Sequence, residues 1–167
     1  MKLTGKAYKF GDDVNTDLII SGRYKFSTLD MKDLAKHVME DVDPDFSRKV
    51  EPGQSFIVAG RNFGCGSSRE QAPLAIKEAG VVAVIAPSFA RIFYRNAVNV
   101  GLVVLEGDTG NIEEGDRLEV DLEEHLIRDE AKKTEIRIKP LPEIMVGILS
   151  EGGLAAYFKK HGGFEIS

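Results

Sequence analysis

Phe56-Ile57-Val58-Ala59-Gly60-Arg61-Asn62-Phe63-Gly64-Cys65-Gly66-Ser67-Ser68-Arg69-Glu70-Gln71 passes from an apolar run into a polar turn, and Ala72-Pro73-Leu74-Ala75-Ile76-Lys77-Glu78-Ala79-Gly80 follows as a short helix. Residues 56–59 have the length and composition of a buried strand. Two similar runs, 81–86 and 102–105, lie downstream, and helices are predicted near 72–79 and 88–97 between them. Strands alternating with helices at this spacing imply βαβ units and a parallel sheet. Parallel sheets place ligand sites at the carboxyl ends of strands, and residues 60–71 lie at such an end. Glycines, two hydroxyls, a guanidinium and a carboxylate there suit an anionic ligand, because turn N–H groups and the helix dipole both favour negative charge.

Outward from this core, residues 5–10 read as a strand and 11–17 as a polar loop. Residues 18–20 are too short to classify. Residues 29–41 read as a helix with Leu34, Val38 and Met31 on one face and Lys32, Lys36 and Glu40 exposed. Pro44 and Pro52-Gly53 punctuate the link to residue 56. Towards the C-terminus, 115–122 and 134–139 alternate apolar and polar residues. They are expected to form a solvent-facing antiparallel pair joined near 128–133. Helices are predicted over 141–149 and 153–160, broken at Gly152-Gly153. The fold class is α/β: one unit with a parallel βαβ core and an antiparallel β extension.

Bulk properties narrow the function. The 167 residues suit one domain with a real core. A net charge of −5 without long basic runs argues against a nucleic-acid surface. The start, Met1-Lys2-Leu3-Thr4-Gly5-Lys6, lacks the apolar core of a signal peptide, and no apolar stretch approaches the ~20 residues that span a bilayer. The expectation is a soluble, cytoplasmic chain with no membrane partner. One cysteine excludes an intrachain disulfide and a cysteine-only metal site, so no metal is assigned to this chain.

The 60–71 loop has several readings. Ser67 with Glu70, and Ser68 with Gln71, match capping-box spacing. Pro73 prefers the first helical turn, which would leave the serines before the helix and open to a ligand. Gly64-Cys65-Gly66 after a strand resembles the start of a dinucleotide fingerprint, but the third glycine and a downstream acidic residue are missing. Cys65 near a helix start could be activated, yet His37, His125 and His161 lie in unrelated contexts. The remaining reading joins carboxylate recognition to proton transfer. Arg69 offers a planar fork for a carboxylate. A serine can act as a base where N–H donors and positive charge stabilise its alkoxide.

Three separated blocks resemble the swivel domain of the aconitase superfamily: Asp12-Asp13-Val14-Asn15-Thr16-Asp17, then residues 60–70, then Ser88-Phe89-Ala90-Arg91-Ile92-Phe93-Tyr94-Arg95-Asn96-Ala97-Val98-Asn99-Val100-Gly101. With the ending Gly152-Gly153-Leu154, nearly the whole chain resembles the small subunits of the 3-isopropylmalate dehydratase family. The resemblance implies a single swivelling β/β/α domain over residues 1–167. It also implies a [4Fe-4S] cluster carried by a separate large subunit, in a heterodimer or heterotetramer. One cysteine cannot supply a cluster's thiolates, so the chain is expected to be inert alone. By position, Ser67 matches the family's catalytic base. Ser68 and Arg69 match residues that bind a substrate carboxylate, and Asp17 matches an acidic residue of the cleft. Arg95 and Asn96 are read as structural or interface residues.

The implied substrate is a small hydroxy-dicarboxylic acid, dehydrated and rehydrated in leucine biosynthesis. Gln71 stands where the family commonly has histidine. The segment Gly22-Arg23-Tyr24-Lys25-Phe26-Ser27-Thr28 corresponds to the loop that selects the substrate's substituent, with Tyr24, Lys25, Phe26, Ser27 and Thr28 as specificity candidates. Phe26 favours an apolar substituent, since an unpaired buried carboxylate is costly. Lys25 could instead meet a carboxylate or snorkel to water. A homoaconitase or dimethylmalate dehydratase small subunit stays open, as does a non-catalytic phosphate- or nucleotide-binding module.

Overall fold

Apolar side chains alternate between both faces of the 56–58 and 81–86 runs, so both faces need cover, and the chain supplies it in two ways. The computed structural model describes residues 2–24, 30–67 and 69–162. Among them β1 (Lys2–Lys9), β2 (Ser55–Val58), β3 (Val81–Ala86), β4 (Val103–Glu106), β5 (Arg117–Asp121), β6 (Leu126–Asp129) and β7 (Thr134–Arg137) form one seven-stranded sheet. Its order is β4-β3-β2-β1-β5-β6-β7. β1 to β4 pair in parallel, with Tyr8 opposite Ile57, Ile57 opposite Val84 and Val84 opposite Val104. β5 joins β1 antiparallel, and β6 and β7 continue in that sense.

On one face, Ile57, Val84 and Val104 pack with residues of α4 (Gln71–Glu78) and α5 (Arg91–Val100), among them Ala75, Ile76, Phe93 and Ala97. On the other face, Phe56, Val58, Ala83 and Ile85 pack with Leu118, Val120, Ile127 and Ile138. Strands of one sheet can share a core only if the sheet curls over itself. The ends of its outermost strands do meet: Gly107 bridges Ile138, and the Lys139 N–H donates to the Glu106 carbonyl at 2.8 Å.

The parallel core matches the expectation, and the antiparallel extension does not match in detail. β6 lies between the two strands read as partners, so 126–129 is a strand rather than a connection. Its arginine is paired across the sheet, with Arg128 Nε 3.2 Å from Glu135 and Nη1 3.4 Å from Glu119. Nor is the extension simply solvent-facing, because Leu118, Val120 and Ile127 are buried.

The helix expected over 29–41 is realised only as α2 (Met31–Ala35), capped by Asp30, whose Oδ1 accepts the Asp33 N–H. Met39 adopts a left-handed backbone at φ 60° and gives its N–H to the Ile19 carbonyl, which ends the helical ladder. Leu34 and Val38 are buried as expected, but the Glu40 side chain is half-buried rather than exposed. Two short helices escaped the pattern: α1 (Thr16–Ile19) and α3 (Phe46–Lys49). Phe46 is fully buried edge-on to Tyr8 and Phe10. The last helices, α6 (Glu143–Ser150) and α7 (Leu154–His161), are separated at Gly152-Gly153 as predicted. No helix among the described residues is long and apolar enough to cross a membrane.

Candidate active site

The carboxyl ends of β1, β2 and β3 open into three loops, and hydrogen bonds lace them together. Asp12 Oδ1 accepts the Arg61 N–H at 2.7 Å, and the Asp13 N–H donates to the Arg61 carbonyl at 2.8 Å. Gly64 N–H donates to Val14, and Thr16 N–H donates to Cys65. On the other side, the Asn62 N–H donates to Ser88 Oγ at 2.9 Å, and the Ala90 N–H to the Phe63 carbonyl. The loop after β2 is therefore held between its neighbours. Thr16, 2% exposed, adds a bond from its hydroxyl to the Ser67 carbonyl at 2.8 Å.

Glycine matters most at position 64. Its φ of +82° is left-handed, and a Cβ there would stand 2.2 Å from Phe93 Cγ. The loop backbone thus lies flat on the first turn of α5, where only a hydrogen side chain fits.

Ser67 is exposed and lies before α4. Glu70 precedes the helix in an αR conformation without a side-chain capping bond, and Pro73 sits in the first turn. The capping-box role considered for Ser67 and Glu70 is therefore not realised.

Arg69 points into the fold, its side chain 15% exposed, with Nη1 2.6 Å from Asp17 Oδ1. Asp17, in the first turn of α1, remains 58% exposed. This ion pair is close but poorly aligned: Arg69 Nε and Nη1 have no hydrogen-bond partner among the described residues. Buried donors left unmade cost free energy, so the guanidinium keeps unused donor capacity for an anionic acceptor.

A cleft of about 190 Å³ opens over these groups, lined by Thr16, Gly66, Ser67 and Arg69 and by Arg91, Ile92 and Phe93 of α5. That volume suits a small acid better than a nucleotide. Cys65 is half-buried and does not line the cleft. Ser68, Lys25, Phe26, Ser27 and Thr28, named as site or specificity residues, lie outside the described residues. Tyr24 is described, and its hydroxyl donates to Glu40 Oε1 at 2.6 Å.

The cleft is built from stretches that a known family shares. The model of the aconitase C-terminal domain matches residues 15–110, from Asn15 through the turn after β4, and so takes in Asp17, Ser67 and Arg69. The chain belongs to the aconitase C-terminal domain family. Within this family it is 63% identical to the 3-isopropylmalate dehydratase small subunit 2 of Archaeoglobus fulgidus, across 99% of this chain and 100% of that one. It is 51% identical to the methanogen homoaconitase small subunit of Methanothermobacter thermautotrophicus, across 95% of this chain and 91% of that one. The crystal structure of 3-isopropylmalate dehydratase (LeuD) from Methanocaldococcus jannaschii superposes with a TM-score of 0.93 at 50% identity, covering 97% and 96% of the two chains. The β/β/α expectation for an aconitase-type swivel domain thus matches the architecture found.

Sequence reasoning missed three residues around the site: Thr16, His37 and Glu40. Thr16 lies in a quoted block, but its burial and bond to Ser67 depend on a contact between distant loops. His37 and Glu40 lie three apart on what reads as a helix face, a spacing that could have suggested their pairing.

Proposed function

We propose that this chain is the small subunit of a 3-isopropylmalate dehydratase, a hydro-lyase that interconverts 2- and 3-isopropylmalate in leucine biosynthesis. The observation that carries the reading is the near-complete match, at 63% identity, to a subunit of that name. The Arg69–Ser67 cleft supplies a chemistry consistent with it. In this reading, Arg69 and Ser68 bind and orient a carboxylate of the hydroxy acid. Asp17 stands at the same guanidinium as the cleft's acidic residue. Ser67, as its alkoxide, takes the proton from the substrate carbon; the C–H electrons form the C=C bond as hydroxide leaves the neighbouring carbon, and rehydration reverses these changes. The segment 24–28 meets the variable substituent.

This chain's residues do not fit a [4Fe-4S] cluster, which needs several thiolates where the chain has one cysteine. Among the described residues, no group of three or more His, Cys, Asp or Glu is arranged to hold a metal ion. In this reading a large subunit would carry the cluster, which would supply Lewis acidity towards the substrate. Closure of a partner over the cleft would remove water from Ser67 and strengthen the field of Arg69 that stabilises the serine alkoxide before it takes the proton.

A second reading, a homoaconitase small subunit, is favoured by the 51% identity to the methanogen protein. One experiment separates them. The chain is co-expressed anaerobically with a cluster-bearing large subunit and assayed on isopropylmalate, homoaconitate, citrate and dimethylmalate. Isopropylmalate turnover by the complex is expected, with none from the chain alone. Activity from this chain by itself, or no association with any such subunit, refutes the proposal.

A further inference from the structure

The 3₁₀ turn Gly22–Tyr24 lies beside the Arg69–Asp17 pair. A Cβ built on Gly22 would stand 3.6 Å from Arg69 Nη1, 3.7 Å from Nη2 and 3.8 Å from Asp17 Oδ1. Two residues on, Tyr24 is held by groups that lie outside the cleft. Its hydroxyl donates to Glu40 Oε1 at 2.6 Å. Its ring stacks on the His37 imidazole, centroids 4.2 Å apart and planes 20° from parallel. His37 Nδ1 in turn lies 2.8 Å from Glu40 Oε2. One half-buried carboxylate thus uses both oxygens to close a Tyr–Glu–His cluster, and charge-assisted bonds of this kind are the strong ones.

The segment carrying Glu40 is itself fixed. The Met39 N–H donates to the carbonyl of Ile19, the last residue of α1, at 2.8 Å. Asp17 belongs to that same short helix. Asp17, Gly22 and Glu40 therefore share one frame, and the cluster ties the turn to it.

We propose that Tyr24, His37 and Glu40 form a positioning cluster that fixes the Gly22–Tyr24 turn against the Arg69 guanidinium and so sets the geometry in which Arg69 receives a carboxylate. The inference rests on the reading of Arg69 as a carboxylate binder. His37 and Glu40 need not touch substrate; they act through the backbone of Tyr24, whose hydroxyl is already bonded to Glu40. A planar two-bond clamp is sensitive to small displacements, so a loosened turn weakens binding before it affects proton transfer.

Two measurements on Glu40→Ala, Glu40→Gln and Tyr24→Phe test it. The first is a ¹H–¹⁵N spectrum of the full isolated chain. Glu40→Ala is expected to shift the Gly22 amide and Arg69 Nε–H signals. Glu40→Gln, which can still accept from Tyr24 and donate to His37, should leave them near wild type. Tyr24→Phe keeps the stack and removes one bond, so it should move the same signals less, and it replaces Glu40→Ala if that variant does not fold.

The second is steady-state kinetics of the reconstituted complex. Loss of a hydrogen bond to a charged group predicts a rise of about tenfold in KM for the hydroxy-dicarboxylate in Glu40→Ala. Turnover at saturation should stay within about twofold and Glu40→Gln should restore KM, the signature of lost ground-state binding. Unmoved Arg69 and Gly22 signals in a folded variant, or a fall in kcat with KM unchanged, overturns the proposal. A wild-type complex without dehydratase activity refutes the proposed function instead, and the two signals still decide whether the cluster positions the turn.

Discussion

Gly64→Ala probes the contact on which the candidate site is built, and its penalty divides into two parts. The first is backbone: at φ +82° an L-residue costs about 1–2 kcal/mol. The second is steric. The new Cβ would meet Phe93 Cγ at 2.2 Å, Cβ at 2.4 Å and Cδ2 at 2.6 Å. Carbon atoms need roughly 3.5–4.0 Å, so loop and ring must separate by more than about 1 Å. Phe93 cannot yield easily: it is 3% exposed, edge-on to Phe63 at 5.3 Å and stacked on Phe89 at 6.3 Å. Forced overpacking of this kind costs about 1–3 kcal/mol, which brings the expected total to roughly 2–5 kcal/mol. Two other glycines isolate the terms. Gly66→Ala, at φ +94° with its nearest contact 3.4 Å from Asn15 Cβ, carries essentially the backbone part alone. Gly11→Ala, with nothing within 4 Å, should stay within about 0.5 kcal/mol of wild type. Urea unfolding of the full chain reads all three. In thermal unfolding, each kcal/mol corresponds to about 2–4 °C in a chain of this size. A Gly64→Ala variant no less stable than Gly66→Ala would refute the claim that the loop is seated on Phe93.

The other predictions concern chemistry and pH. Ser67→Ala in the complex is expected to lower turnover by about 10²–10⁴-fold, the usual contribution of a positioned base. The exposed serine should leave the unfolding midpoint unchanged, and retained activity in a folded complex would remove Ser67 from the base role. Arg69→Lys keeps the charge but loses the fork, so KM should rise by about tenfold or more while the subunits still associate. Burial, aided by the Asp116 carboxyl beside it, holds the Asp129 carboxyl above its usual value. Its contribution to stability is then fully present below about pH 4 and is lost as pH rises through the folded value. Asp129→Asn cannot ionise and can donate to Asp116, so it should flatten that fall. Urea midpoints between pH 4 and 8 that keep the wild-type slope would contradict this.

The parts of the fold that were readable are those whose cause is local. Residues 56–58 and 81–86 are apolar on both faces, and that alone marks strands buried between layers. β6 was unreadable because two of its four residues, Arg128 and Asp129, are charged. Only the neighbouring strands show that Arg128 reaches Glu119 and Glu135. Leu34 and Val38 have helical spacing and are buried, yet the helix stops at Ala35: the His37 and Val38 N–H groups bond only three residues back, and the Met39 N–H then leaves for the Ile19 carbonyl. Glu40, placed on the solvent side by periodicity, is drawn inward by Tyr24 and His37.

The site divides in the same way. Sequence by itself determined the candidate groups: a serine and an arginine on a glycine-rich turn after a strand, and an aspartate in an acidic N-terminal loop. It also determined that one cysteine cannot hold a cluster. Tertiary structure decided that Asp17 meets Arg69, that Thr16 holds Ser67 by its carbonyl, and that Gly64 lies on Phe93. The physical reason is range. Periodicity, turn chemistry and donor sets are properties of a few consecutive residues. Which carboxylate faces which guanidinium depends instead on how β1, β2 and β3 align their carboxyl ends, and that alignment exists only once the sheet has formed.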